Sequence, residues 1–158
     1  MYRVVDAQAP EVGSPGQHDD KATFAVPLDP RAARQARRIV CDLLRAWRAD
    51  EDLVYDAQLV AIELVTNAVS HGGAQVVLEV EHRPDGRIRL AVRDGSPRMP
   101  CQREVGMHDE TGRGLAIVEG LALDWGVQTL DGGGKQVWAL LRSAWPQDHH
   151  DMAGSSSN

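Results

Sequence analysis

Three polar side chains recur along one apolar segment of this 158-residue sequence, and their types suggest chemistry. Glu63, Asn67 and His71 follow one another at intervals of four residues, which places them on one stripe of a helix. The surrounding segment, residues 59–71, is apolar on nearly every side. Such a helix is largely buried, and burying a carboxylate or an amide without partners is costly. The stripe therefore either faces water as a solvated edge or lines a cavity that uses it.

A glutamate and an asparagine one helical turn apart suit two chemical roles. The carboxylate of Glu63 is a candidate general base, and the amide oxygen of Asn67 is the kind of ligand that Mg²⁺ prefers. A zinc site built on Glu63 and His71 would lack a third nitrogen or sulfur ligand. From the residues alone, a solvated helix edge and an oxygen-lined magnesium site both stay open.

A second candidate lies where a strand-like run ends in Asp94, Gly95 and Ser96. Asp-Gly is ordinary turn chemistry. A carboxylate at a strand end is also able to accept a hydrogen bond from an exocyclic amine. Both interpretations stay open on this motif alone.

The third candidate is the sequence Gly112-Arg113-Gly114, which precedes an apolar helix. Backbone N–H groups at such a helix start can bind an anion such as phosphate. The motif is not a dinucleotide-binding fingerprint, because Ile117 occupies the third glycine position. Lys135 does not belong to a P-loop either, since Gln136 replaces the required Ser or Thr. A contact between Lys135 and a nucleotide stays open, but we expect Lys135 to be a solvated lysine at a strand end.

The elements that position these residues alternate between strand and helix patterns. Their order predicts an α+β fold, a two-layer sandwich with helices on one face of a mixed sheet. The predicted strands are residues 22–27, 75–81, 87–93, 125–130 and 135–141, and the predicted helices are a segment running to Trp47, residues 52–71 and residues 113–122. The segment 95–112 is predicted to be a long loop.

Composition limits the classes of function. The net charge is −6, which disfavours broad binding to nucleic acid or to anionic membranes. No apolar run is long enough to cross a bilayer, and the first twenty residues lack the features of a secretory signal. We therefore expect a cytoplasmic protein with one domain at residues 21–143, a flexible segment at 1–20 and a flexible tail at 144–158.

Taken in order, the three motifs resemble the GHKL superfamily of histidine kinase-like ATP-binding domains. Residues 63–71 match its asparagine box, residues 94–96 its first glycine box in shortened form, and residues 112–115 its second. Within the superfamily, the chain looks most like the anti-sigma-factor serine/threonine kinases. The sequence motifs that support this likeness lie at residues 110–118, 124–127 and 133–138. The resemblance covers residues 22–142.

The resemblance implies a Bergerat-type fold that binds ATP and Mg²⁺. Asn67 would hold Mg²⁺, Glu63 would be the catalytic base, and Asp94 would accept the adenine amine. The loop at residues 95–111 would close over the phosphates as a lid. The nucleotide-binding residues that the resemblance implies are Asn67, His71, Asp94, Ser96, Thr111, Gly112, Arg113, Gly114 and Leu115.

The resemblance also implies a function. An anti-sigma-factor kinase would phosphorylate a Ser or Thr of a small antagonist protein and sequester a sigma factor. A non-catalytic regulator that binds ATP or only a protein partner is the alternative, and a detached catalytic domain of a histidine kinase ranks last. A homodimer stays open because relatives often dimerise. Two positions depart from the family pattern: Ser70 replaces a basic residue, and Gln136 replaces a Thr that helps frame the adenine site.

Overall fold

The computed structural model describes residues 20–71, 75–95 and 110–143. In chain order the elements are β1 (Asp20–Val26), α1 (Arg31–Ala46), α2 (Glu51–His71), β2 (Val76–His82), β3 (Arg87–Asp94), α3 (Glu110–Leu121), β4 (Asp124–Thr129) and β5 (Lys135–Ser143). This order of strands and helices agrees with the prediction, and the α+β class is confirmed. The expected domain boundaries after residues 20 and 143 stay a prediction, because the flanking segments lie outside the described ranges.

The five strands form one sheet in the order β1-β2-β3-β5-β4. Every neighbouring pair is antiparallel, rather than mixed as expected. The cause lies in the connections. Since α1 and α2 form a helical hairpin between β1 and β2, the chain returns to the end it left, and Val76 pairs with Val26. Strands β3 and β4 run in the same direction, but β5 lies between them.

The helices cover one face of this sheet. Helix α2 packs on β2, β3 and β5, while α1 packs on α2 and β1, and α3 packs on α2 and β4. Alternate strand residues face the helices, as the two-residue period of a strand requires. The buried strand residues on this face include Phe24, Val26, Val76, Leu78, Val80, Ile88, Leu90, Val92, Val137, Ala139 and Leu141.

The opposite face of the sheet carries a cluster of ion pairs around one buried carboxylate, that of Glu79. Glu79 is only 2% exposed, and its carboxylate lies 2.8 Å from Lys21 Nζ and 2.7 Å from Arg93 Nη2. Burial acts to raise the pKa of Glu79, but hydrogen bonds from Lys21 and Arg93 outweigh it, so the pKa lies below its usual value.

Among the helices of the described ranges, none combines the length and the apolar character that crossing a membrane requires.

One carboxylate fixes the start of α2 relative to the sheet. Asp50 Oδ1 accepts a hydrogen bond from the backbone N–H of Leu53 at 2.9 Å, as an N-cap residue does. The same carboxylate accepts two hydrogen bonds from Arg142, at 2.7 and 2.8 Å, near the end of β5. The Arg142 guanidinium lowers the pKa of Asp50 to about 2. Asp50 therefore joins the N-terminus of α2 to the strand beneath it.

Replacing Asp50 should separate these two contributions. Asp50→Ala loses the cap and the ion pair, and should lower the free energy of unfolding by about 1–2 kcal/mol. Asp50→Asn keeps a capping oxygen and loses only a partly exposed pair, a cost of about 0–1 kcal/mol. Urea denaturation would measure both, and equal losses in the two variants would contradict the capping role.

The ion pair should also make stability depend on pH. The pKa of Asp50 is about 2 in the folded protein, below the usual value of 3.8 for an aspartate. Its stabilising contribution is therefore complete above about pH 4 and is lost as the pH falls towards 2. We expect the difference in unfolding free energy between the wild type and Asp50→Asn to shrink over that range, and a constant difference would contradict the assignment.

Candidate functional site

Two of the predicted site residues lie on one flank of α2. Glu63 and Asn67 are both half-buried, and their side chains start about 6 Å apart along the helix axis. Burial raises the pKa of the Glu63 carboxyl above its usual value. Glu63 and Asn67 thus lie along the border of the core, neither fully solvated nor fully buried. A partly desolvated carboxylate in this place is a better proton acceptor than a solvated one.

At the end of β3, Asp94 forms a buried ion pair with Lys135 at the start of β5. Asp94 is 4% exposed and Lys135 only 2%, and Lys135 Nζ lies 3.1 Å from Asp94 Oδ1. The expectation that Lys135 is solvated is therefore wrong. Residues 94 and 135 are partners in the antiparallel ladder, and cross-strand partners point to the same side of a sheet. For this pair, that is the side covered by the helices.

Gln136 faces the other side of the sheet. Its Oε1 accepts a hydrogen bond from Arg89 Nη2 at 3.4 Å, on the face that carries no helix. The side chain of Gln136, which departs from the family pattern, therefore points away from Asp94. The neighbour that contacts Asp94 is Lys135.

The glycine run before β5 makes this pairing sterically feasible. Gly134 has a φ of +88°, and a Cβ built on it would overlap the backbone carbonyl oxygen of Asp94. Glycine is the residue that adopts such a φ without strain and also leaves room for a close backbone approach. Gly132, with a φ of +90°, has open space around its Cα.

Helix α3 begins at Glu110, three residues before the predicted start. Residues 110–112 are therefore helical rather than part of the predicted loop, and Gly112 and Gly114 lie within the first turns. An acidic residue at a helix start is favoured by the helix dipole, which explains the earlier beginning. The first backbone N–H groups of the helix have no partner within it, as phosphate binding requires.

The register of the sheet brings these parts to one end. Val76 pairs with Asp94, and Asp94 pairs with Lys135. Helix α2 ends five residues before Val76, so its C-terminal part lies near this end. A two-residue connection joins α3 to the far end of β4, which turns the chain back and directs the N-terminus of α3 towards Asp94.

The remaining predicted residues are placed only in part. Leu115 is buried in α3. His71 is the last residue of α2, and Thr111 and Arg113 belong to the first turns of α3, so only their backbone position is described. Ser96, and residues 96–109 of the expected lid, lie outside the described ranges. Their roles in binding a nucleotide stay predictions.

Comparison with known proteins identifies the fold and its ligand. A family model of the histidine kinase-like ATPase domain matches residues 26–141. The chain belongs to this family. The matched range contains α2, α3, the end of β3 and the start of β5, which form the candidate site. Membership of a family of ATPase domains implies that this histidine kinase-like domain binds ATP.

Two further comparisons found similar proteins. An uncharacterized protein of Streptomyces coelicolor is 34% identical over 70 residues, which cover 42% of this chain and 67% of that protein. The crystal structure of the RsbU and RsbW domains of Rv1364c from Mycobacterium tuberculosis superposes with a TM-score of 0.62 at 24% identity. That match covers 80% of this chain and 33% of the other, and it confirms the fold of the histidine kinase-like domain.

Sequence reasoning missed the burial of Lys135 and its contact with Asp94. The signal was present in part, because Gly132-Gly133-Gly134 directly before a strand indicates a close approach between backbones. The identity of the strand that approaches could not be read from the glycines. Among the described residues, no group of three or more His, Cys, Asp and Glu side chains is arranged to hold a metal ion.

Two glycine substitutions should test the close approach of β5 to β3. Gly134→Ala should lower the free energy of unfolding by about 3 kcal/mol, from the strained φ together with overlap on Asp94. Gly132→Ala carries the same strain with open space, and should cost only about 1 kcal/mol. Urea denaturation gives both values, and equal losses would show that the contact at Gly134 is not tight.

Proposed function

We propose that the chain is an ATP-dependent serine/threonine protein kinase that transfers the γ-phosphate of ATP to a Ser or Thr of an antagonist protein. The observation that carries the proposal is the half-buried carboxylate of Glu63, one turn from Asn67 on the same flank of α2. Membership of a family of ATPase domains supports ATP as the phosphate donor. A carboxylate such as that of Glu63 can act as the general base.

In the proposed reaction, Glu63 accepts the proton of the partner's hydroxyl group. The hydroxyl oxygen forms a bond to the γ-phosphorus, and the bond from that phosphorus to the β,γ-bridging oxygen breaks. The electron pair of that bond leaves with ADP, whose terminal phosphate keeps it. Because phosphoryl transfer depends mostly on positioning and electrostatics, the base need not be strong.

The donor chemistry of the site suits Mg²⁺. Asn67 offers a neutral amide oxygen beside a carboxylate, and oxygen donors are what this hard ion prefers. When bound, the ion would neutralise phosphate charge. Asn67 would hold it, and the free backbone N–H groups at the start of α3 would bind phosphate oxygens.

The antagonist protein and a sigma factor are the proposed partners, and an arginine-lined groove supports binding to an acidic protein surface. The groove lies between α1 and α2 and has a volume of about 480 Å³. Its charged lining residues are Arg34, Arg37, Arg38, Arg45, Asp42 and Glu51. In the described part of the chain, no carboxylate lies within salt-bridge distance of Arg34, Arg37 or Arg38. The four arginines of the groove outnumber its two carboxylates, and an excess of positive charge favours a partner of opposite charge.

A non-catalytic regulator is the second candidate, and the same groove favours it. Binding of a partner at α1 and α2 would not require phosphate transfer. The two candidates differ in one property, since only the kinase needs Glu63 as a base.

Two substitutions on α2 should separate binding from catalysis. Glu63→Gln should still bind ATP but transfer phosphate at least about 100-fold more slowly, because the amide cannot take the proton. Asn67→Ala should lose most of the Mg²⁺-dependent ATP affinity. Thr66→Ala, an exposed neighbour on the same helix, is the matched control and should change neither. Calorimetry measures binding, and labelling of candidate antagonists with γ-phosphate-labelled ATP measures transfer.

The results assign the function. ATP binding without labelling of any antagonist would favour the non-catalytic regulator. No ATP binding by the wild type in the presence of magnesium would refute both nucleotide-dependent functions.

Replacing the arginines should test the partner surface. The triple variant Arg34→Ala, Arg37→Ala, Arg38→Ala should bind the identified antagonist or sigma factor at least about 10-fold more weakly at low salt, with a smaller dependence on salt. Arg31→Ala is the control on the same helix, because Arg31 is already paired with Asp29 at 2.7 Å. Equal binding by the triple variant and the control would exclude the groove.

A further inference from the structure

Three arginines of α1 lie closer together than helix stability favours. Arg34, Arg37 and Arg38 are three and four residues apart, which makes them neighbours on the helix surface, with about 5–6 Å between Cβ atoms. Like charges at this spacing destabilise a helix, and the first turn of α1 contains no acidic residue that would offset them. Residues that break such a local rule are expected at functional sites.

The groove between α1 and α2 leaves the charge of these arginines unbalanced. Arg45 also lines the groove, but its guanidinium lies 3.1 Å from the carboxylate of Glu51 and is paired with it. Apart from this pair, the charged lining residues are the three arginines and Asp42. The groove therefore carries an excess of positive charge in a protein whose net charge is −6.

The size and lining of the groove suit a small molecule. Its volume of about 480 Å³ lies within the range of about 300–1,000 Å³ that is typical of such sites. The lining includes the buried side chains of Cys41 and Val54 and the exposed ring of Tyr55, which offer contacts to an organic group. Arg37 is held in place, because its Nε donates a hydrogen bond to Gln58 Oε1 at 3.2 Å.

We propose that this groove binds a small organic molecule that carries a diphosphate group, and that such a ligand competes there with the acidic protein partner. A guanidinium can donate two parallel hydrogen bonds to one phosphate. A diphosphate concentrates its negative charge, as the three arginines concentrate their positive charge, whereas the carboxylates of a protein surface are spread more widely. The competition rests on the proposed binding of a partner at this groove, but binding of the diphosphate does not.

Calorimetry with inorganic diphosphate as the probe tests the site. The measurement uses the full chain in EDTA, so that Mg²⁺-dependent binding at Asn67 does not contribute. We expect the wild type to bind one diphosphate per chain, and the triple variant Arg34→Ala, Arg37→Ala, Arg38→Ala to bind it at least about 10-fold more weakly. Arg31→Ala, which removes an arginine already paired with Asp29, should bind it as the wild type does.

Three results would overturn the proposal. One is the absence of diphosphate binding by the wild type. Another is equal weakening in the triple variant and in Arg31→Ala, which would indicate a general effect of charge. The third is loss of diphosphate binding in Asn67→Ala, which would place the diphosphate at the nucleotide site. Titration of the wild type with ATP in MgCl₂ tests the proposed function separately, so failure of one is distinguishable from failure of the other.

Thermal unfolding gives a second measurement of the site. The three replaced arginines are exposed and repel one another, so the triple variant should melt at or above the temperature of the wild type. Diphosphate should raise the melting temperature of the wild type but not that of the triple variant. If the triple variant does not fold, Arg34→Gln, Arg38→Gln keeps the hydrogen bond of Arg37 and should still weaken diphosphate binding about 3-fold or more. Equal shifts in the wild type and a folded variant would refute the site.

Competition is measured with the antagonist or sigma factor that the labelling and binding experiments identify. Saturating diphosphate should weaken binding of that partner to the wild type at least about 10-fold, because both ligands need the same arginines. Partner binding that saturating diphosphate does not change would refute the competition.

Discussion

The packing of α2 across the sheet is the constraint on which the other features of this domain depend. Helix α2 covers β2, β3 and β5, so the residues on its inner side must be apolar. A polar residue is tolerated only along the border of that contact. Glu63 and Asn67 lie at this border, where burial is enough to raise the pKa of a carboxyl but not enough to exclude a ligand. The packing of the helix and the raised pKa of Glu63 therefore have one physical cause.

The two faces of the sheet both bury a carboxylate, and each is compensated by cations from another strand. Glu79 is held by Lys21 from β1 and Arg93 from β3. Asp94 is held by Lys135 from β5. The difference lies in their position. Several cations surround Glu79 on the face of the sheet that carries no helix, which suits a structural role. The pair at Asp94 lies at the end of the sheet, on the side that the helices cover.

Local features of the sequence predicted most of the fold. The apolar run at residues 52–71 predicted α2 to within one residue, because a helix depends on periodicity over neighbouring residues. Pro84, Asp85 and Gly86 between two strand patterns predicted the hairpin of β2 and β3 for the same reason. The burial of Lys135 was not predictable in this way. It depends on the register between β3 and β5, which are separated by forty residues of chain. The glycines before β5 indicate a close backbone approach but do not identify the strand that approaches.

The charge of the chain explains why these few cations matter. The protein carries a net charge of −6, and ATP is a polyanion, so their long-range interaction is repulsive. Binding then depends on positive charge or N–H groups held at the site itself, where short distances and burial outweigh the distant negative charges. The backbone N–H groups at the start of α3 are groups of this kind, and a bound magnesium ion would add positive charge. Lys135 adds little net attraction for a polyanion, because its charge is balanced by the buried carboxylate of Asp94.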